Sequence, residues 1–420
     1  MDIYLVGGAV RDELLNLPIK DKDWVVVGCI PEILLQQGYK QVGKGFPVFI
    51  HPKTHEEYAL ARTESKSGSG YHGFIINYSS KITLEEDLIR RDLTINAIAK
   101  DRYGNYIDPC NGKYDLKLGI LRHISSSFKE DPLRVLRVAR FAATFSYLGF
   151  RIAKKTMLFM SDIVKNKELS HLKKERIWKE TEKALMTSHP HVYFQVLRSC
   201  FALSILFPEI DKLYSMKFTV CKGNSIISMS KFLFTALAKV SQISKAIDIR
   251  FACLCQFLSI GFSFLNYKKK YEFCNSLSVS LVKRLCKRLH VPSNIQDLAV
   301  LISGFNDFLY SIIFQTTQSI VIFFDRIDAW RKPERINKLA ILINIYSDYL
   351  SLVKPISSPG EYLKNIFSIA QSVSIRSILQ SGFTGIGIKI ELMRLRILLI
   401  NKWRLFFLKD KNIHVLENNL

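Results

Sequence analysis

The opening 28 residues constrain this chain more than any other stretch. Residues 3–12 read IYLVGGAVRD and residues 20–28 read KDKDWVVVG. Short apolar, β-branched runs bounded by glycine and charge read as buried strands. The first run breaks at Gly7-Gly8 and continues into a segment, Ala9 to Leu15, with helical spacing. In an extended strand, side chains two apart share a face, so Asp21 and Asp23 are expected to project together with Lys22 opposite. Two carboxylates that close repel each other unless a cation joins them. Oxygen-only ligation suits Mg²⁺, which takes one or two carboxylates together with substrate phosphates. A Gly-Gly bend lets backbone approach a phosphate, and the N-terminus of the following helix would face it. Gly8, Arg11 and the Asp21/Asp23 pair thus form one candidate phosphate-and-metal constellation.

The chain has 420 residues, which is more than one compact core accommodates, so several domains are expected. Lys and Arg total 60 against 37 Asp and Glu, a formal charge of +23. That excess points to a polyanionic partner, with nucleic acid the plainest candidate, although a compositional drift toward Lys supplies part of it. Eight cysteines are scattered without a CxxC pair, so neither a zinc site nor a disulfide framework is legible. That usage fits a reducing, cytoplasmic compartment. The chain starts on a strand, which reads as no signal peptide. The apolar run Phe251–Leu265 is too short to span a bilayer comfortably and reads as a buried helix.

VFIHP (48–52) and EEYALAR (56–62) read as further strands of the first sheet. Glu57 falls where a third carboxylate could lie, but a surface strand glutamate is the favoured reading. KSGSGYHGF (66–74), rich in Gly and Ser and basic, reads as a mobile loop near substrate or, equally well, as an ordinary exposed loop. RRDLTINAIA (90–99) has the apolar spacing of a helix entering the core, with Arg90, Arg91 and Asp92 in its first turn. EDPLRVLRVARF (130–141) begins as helices do, with acid and then proline. Asp131, Arg134, Arg137 and Arg140 recur every third residue and form a slowly winding polar stripe. Three arginines with few acids nearby in sequence to pair them would suit a triphosphate.

Taken together, these motifs resemble the polymerase-β-like nucleotidyltransferases. More narrowly, they resemble the bacterial class II tRNA nucleotidyltransferases, the CCA-adding enzymes, in the gamma-proteobacterial form. The resemblance rests on GG…DxD at 7–23, RRDxTxNA at 90–97, DPxxG at 108–112, EDxxR at 130–134 and the ERIWKE stretch within 172–181. It implies an α+β fold: a nucleotidyltransferase head with a small mixed sheet (1–122), then an all-α neck (123–209), body (210–327) and tail (328–420). It also implies template-independent addition of CCA to tRNA from CTP and ATP, with Asp21 and Asp23 on Mg²⁺. Gly8, Arg11, Arg91, Arg137 and Arg140 would hold the nucleotide, Asp92 would help select the ribose, and Asp131 and Arg134 would read the base edge. The DPxxG turn would couple head to neck, and Glu175, Arg176 and Glu180 would stabilise their helix. Partners would be the acceptor and T arms of tRNA, with no membrane, and the protein a monomer or weak dimer.

Some relatives carry a metal-dependent HD phosphohydrolase in the body. Here Gln256-Phe257 stands where the His-Asp pair would fall, and no histidine occurs between His191 and His290. An HD site needs several imidazoles, so loss of that chemistry and retention of a helical shell is expected. Residues 192–289 carry 15 Lys/Arg against 4 Asp/Glu, a net +11 that would still neutralise RNA phosphates. DAWRKPERI (328–336) marks the start of the tail, KPISSPGE (354–361) reads as a loop, and 389–409 reads as a basic helix carrying Trp403 and Phe406, with a solvated face as the default reading and an RNA-backbone contact as the second. A poly(A) polymerase of the same superfamily and an inactive RNA-binding relative are the alternative readings.

Overall fold

A computed structural model describes residues 1–43, 48–66, 74–219, 226–258, 275–350 and 358–410. The chain divides into two compact units, Met1–Pro208 and Glu209–Leu420.

The first unit begins with β1 (Asp2–Val6), α1 (Gly8–Leu14), β2 (Asp23–Val27), α2 (Pro31–Gln36), β3 (Lys40–Val42), β4 (Val48–Ile50) and β5 (Glu57–Leu60). A hairpin of β6 (Arg62–Lys66) and β7 (Phe74–Tyr78), helix α3 (Leu84–Ile89), β8 (Ala99–Lys100) and β9 (Tyr106–Ile107) follow. Seven strands form one mixed sheet in the order β3-β4-β5-β2-β1-β8-β9; the β6–β7 hairpin stands apart from it. β2 pairs antiparallel with β1 and parallel with β5. The alternation of β2 explains its central place. Val25 joins a core with Val6, Leu84 and Leu88 on one face, while Val26 joins Phe49, Tyr58 and Leu34 on the other. Helices then take over: α4 (Gly112–Leu118), α5 (Leu133–Phe145), α6 (Lys154–Lys165), α7 (Lys174–Leu185) and α8 (Pro190–Ser199). This is the expected α+β architecture.

Two local expectations fail in this unit. Only Asp23 lies within β2; Asp21 sits in the irregular segment before it. Residues 90–99 are not a helix. The helix is α3, which ends before Arg90; Leu93 is then extended, Thr94–Asn96 make a single 3₁₀ turn, and β8 follows. The reason is local: the Asp92 carboxylate accepts from Leu93 N (2.9 Å) and from Asn96 Nδ2 (3.1 Å), a side-chain alternative to the helical backbone ladder. The glycine- and serine-rich loop at 66–74 lies almost wholly outside the described residues.

The parts expected to be all helical are not entirely so: Arg151–Ile152 pairs with Ile120–Leu121, and Lys217–Thr219 pairs with Ile226–Ser228. The rest of the second unit's described elements are helices, among them Met229–Ile243, Ile247–Cys255, Ser276–Leu289, Ser293–Gly304, Thr317–Arg326, Glu334–Leu350, Pro359–Gln371 and Ile386–Asp410. Of the run expected as a buried helix, residues 251–258 are buried but the helix stops at Cys255, and 259–265 lie outside the described residues. Gln256 is buried and donates through Nε2 to Asn306 Oδ1 (2.8 Å) and Tyr310 Oη (2.9 Å), while Phe257 packs edge-on against Phe232. Where a loop was expected at 354–361, Ser358 instead caps a helix, accepting from Glu361 N with Pro359 in the first turn. Residues 354–357 lie outside the described part. The basic helix at 389–409 forms, but Arg404 is not on a solvated face. It is buried and donates to the carbonyls of Ile313 and Gln315.

Candidate active site

Gly7 adopts φ +69°, a conformation that side chains rarely tolerate, and its N–H donates to Ile98 O. A Cβ at that position would lie 3.0 Å from Arg91 Nη1, so the bend and the Arg91 guanidinium pack directly against each other. Arg91 is tethered by Asp87, whose Oδ2 accepts from Nη2 at 3.0 Å. Its Nε is buried with no hydrogen-bond partner among the described residues. An unsatisfied buried N–H on a cation is a group awaiting an acceptor.

Asp23 stands beside this bend. Partial dehydration raises its carboxyl pKa, the charge of Arg91 opposes that rise, and the charge of Asp21 adds to it. The charges of Asp21 and Arg91 both act on Asp23. Neither carboxylate has a hydrogen bond or ion pair among the described residues, and both are exposed. Repelling, unpartnered acids of this kind fit a hard divalent cation by the chemistry of their oxygens. Glu57 pairs in register with Asp23 across the parallel β2–β5 ladder, so both side chains leave the sheet on the same face. Even so, among the described residues no three His, Cys, Asp or Glu side chains converge on one metal position.

Arg11 is buried, and its guanidinium lies over the rings of Phe141 and Phe145 in α5, at 5.3 and 4.9 Å from their centroids. It donates to Asp12 and, at 2.6 Å, to Asn96 Oδ1. Gly8 lies one residue past the bend, close to Arg11 Nη2. The arginine stripe of α5 also has partners, supplied by other elements rather than by the helix itself. Arg137 Nε donates to Asp92 Oδ2 at 2.6 Å, and Arg140 Nε donates to Glu180 Oε2 at 2.6 Å. Arg134 is buried and donates to the carbonyls of Ser127 and Arg90. Asp131 starts the helix by accepting from Leu133 N and takes a second bond from Arg176 Nη2 at 3.0 Å.

Burial pushes the Asp92 carboxyl up, but Arg137 and the Asn96 hydrogen bond outweigh that and hold it well below the usual carboxylate range. In turn, Asp92 raises the pKa of Arg137. Arg176 and Glu180, expected to stabilise their own helix, instead bridge α7 to α5 and its start. Asp108 caps the turn before α4, accepting from Gly112 N (2.7 Å) and Lys113 N (2.9 Å).

Asp87, Asn96 and Phe141 were not singled out by sequence. Asn96 lies four residues after Asp92, a spacing that could have suggested a contact. The Phe141 ring is approached by Arg11, Arg137 and Arg140 at once, and a lone aromatic carries no such signal.

Residues 3–122 match a family model described as the poly A polymerase head domain. Residues 149–214 match one described as the probable RNA and SrmB-binding site of polymerase A. A protein of Buchnera aphidicola subsp. Acyrthosiphon pisum (strain Tuc7), named CCA-adding enzyme, is 54% identical over 414 residues, covering 98% of this chain and 99% of that one. A protein of the same name from Buchnera aphidicola subsp. Schizaphis graminum is 53% identical over 418 residues, covering 98% and 100%. The fold is similar to that of the Bacillus stearothermophilus CCA-adding enzyme in complex with CTP, with a TM-score of 0.62 at 22% identity over 98% of this chain and 93% of that one. With the GG…DxD bend, the RRDxTxNA turn and the arginine helix assembled in one unit, and with such relatives along its whole length, the chain belongs to the family of CCA-adding enzymes.

Proposed function

We propose that this protein adds and repairs the 3′-terminal CCA of tRNA from CTP and ATP, without a nucleic acid template. The reading is supported by Asp23, which lies opposite Val6 next to the Gly7 bend and feels the charges of Asp21 and Arg91, and by the buried, unused N–H of Arg91. Asp21 and Asp23 would hold Mg²⁺, which when bound neutralises the triphosphate and favours attack by the primer's 3′-hydroxyl. Arg91 and the backbone from Gly8 would receive phosphate oxygens, with Arg11 fixing the bend from below. Arg137 and Arg140 would take the phosphate and sugar side. Asp92 would accept from the ribose. Asp131 and Arg134 would meet the base edge: arginine only donates and a carboxylate only accepts, so the pair can favour C and A over G and U.

This reading assigns residues 1–122 to catalysis, 123–209 to nucleotide selection, and the helical 210–327 and 328–420 to gripping the acceptor and T arms by phosphate and shape. The net charge of +23 supports an RNA partner. No helix among the described residues is long and apolar enough to cross a membrane, and a cytoplasmic place of action fits tRNA as substrate.

The test uses tRNA lacking CCA. With CTP alone the protein should add two C residues and stop; with ATP as well it should complete CCA. An open-ended A tail would instead identify a poly(A) polymerase. Asp21→Ala/Asp23→Ala should lower incorporation about a thousandfold or more while the fold is kept. Full activity in that variant would remove the mechanism.

A further inference from the structure

One ring in the first unit is crowded by cations. Phe141 lies toward the end of α5 and is 5% exposed. The guanidinium carbon of Arg140 stands 4.2 Å from its centroid, that of Arg11 5.3 Å and that of Arg137 5.7 Å. Arg137 and Arg140 belong to α5 itself, whereas Arg11 reaches over from α1, close to Gly8. The Phe145 ring lies nearly parallel to that of Phe141, 6.1 Å away, and has Arg11 over it at 4.9 Å.

Three like charges gathered around one ring repel each other. Burial lowers the Arg11 pKa most, Asp12 opposes that, and the charge of Arg140 lowers it further. Anions relieve part of the repulsion: Arg11 donates to Asp12, Arg137 to Asp92 and Arg140 to Glu180. Each such bond takes an N–H in the guanidinium plane, and those N–H groups are what phosphate oxygens need. The face of an aromatic ring is negative and attracts a cation without occupying its in-plane donors. A ring therefore offsets the repulsion and leaves the donors to the substrate. Leucine would fill much of the same space and offer no such field.

We infer that Phe141 is a positioning residue for the triphosphate: its ring gathers the Arg11, Arg137 and Arg140 guanidiniums before the nucleotide arrives, without occupying the N–H donors that phosphate oxygens take. This rests on the reading of Arg137 and Arg140 as contacts on the phosphate and sugar side. The direction of the effect follows from exposure. The Arg137 side chain is 36% exposed and has water to swing into. Without the ring's attraction, repulsion favours that swing, and the nucleotide must regather the guanidiniums as it binds, which weakens binding. A ring that only filled space would serve equally well whatever its charge distribution.

The test replaces Phe141 with phenylalanines bearing one, two and three ring fluorines, which nearly keep the ring's shape while cancelling its negative face step by step. Calorimetry on the full chain gives dissociation constants for CTP and for inorganic triphosphate, with Mg²⁺ and without tRNA. Both constants should rise with each fluorine, reaching about 10-fold at three, the scale of a partly desolvated cation–π contact. The same series at Phe145, which has Arg11 over it, should give a smaller slope. Affinities that stay flat along the Phe141 series overturn the inference, and so does a loss that follows the melting temperature of the variants rather than the number of fluorines. Arg137→Gln and Arg140→Gln separate the two readings. If both bind CTP like wild type, the placing of these arginines on the nucleotide fails and the inference with it. If they bind CTP weakly while fluorination changes nothing, the inference alone fails. Where the most fluorinated variant does not fold, the other two give the same slope.

Discussion

Asp87→Asn should destabilise the first unit by an amount that follows from three contacts. The Asp87 side chain is fully buried. Its Oδ1 accepts from Arg90 Nε (3.0 Å) and Arg62 N (3.3 Å), and its Oδ2 accepts from Arg91 Nη2 (3.0 Å). The amide keeps the shape but removes the negative charge shared by two guanidiniums. Removing one partner of a buried ion pair costs about 3–5 kcal/mol. Both arginine side chains retain some exposure, 18% and 19%, so water replaces part of what is lost. The lower end, about 3 kcal/mol, is expected. For a unit of roughly 200 residues that is about 6–12 °C in its melting temperature.

The pH dependence gives a second check on the same substitution. Burial pushes the Asp87 carboxyl up, but Arg91 and Arg90 outweigh it and hold the group below its ordinary 3.8. A carboxyl depressed in the folded state gives its full stabilisation above the unfolded pKa and loses it as pH falls through the folded one. The melting gap between wild type and Asp87→Asn, followed by circular dichroism, should therefore be constant from pH 7 to about 5 and close below 3.8. Equal melting temperatures at pH 7, or a gap that widens in acid, would refute the charge argument. Since Asp87 also tethers Arg91 beside Gly7, the KM for CTP should rise in the same variant.

Gly112→Ala places a Cβ 2.2 Å from the Thr94 carbonyl oxygen, backbone against backbone. It should cost about 3 kcal/mol or more in a denaturant titration, since neither side can yield cheaply. Glu180→Gln leaves Arg140 without its charged partner between α7 and α5. A loss of about 2–4 kcal/mol is expected by thermal melt, and wild-type stability would show the pair to be dispensable.

The parts of the site legible in the sequence are those set by neighbours in the chain. The glycine bend, the strand beginning at Asp23 and the proline start of α5 depend on a few adjacent residues, and all three form. The stretch 90–99 misled because its apolar spacing suits a helix, while the Asp92 side chain offers Leu93 and Asn96 bonds that a helix would forgo. The arginine stripe was legible as a row of cations in need of anions. Its helix contains none after Asp131, which made a triphosphate the natural partner. The folded chain brings its own: Asp92 lies 45 positions before Arg137, and Glu180 lies 40 after Arg140. Periodicity reports which face of a helix is polar, but the partner of a polar face is decided by which elements pack against it. The same limit hid Asn96. Its contact with Asp92 is local, but its amide has its full meaning only once α1 is packed against the turn, so that the Arg11 guanidinium and the Asp92 carboxylate, which cannot bond through an apolar residue, are joined by an uncharged group able to serve both.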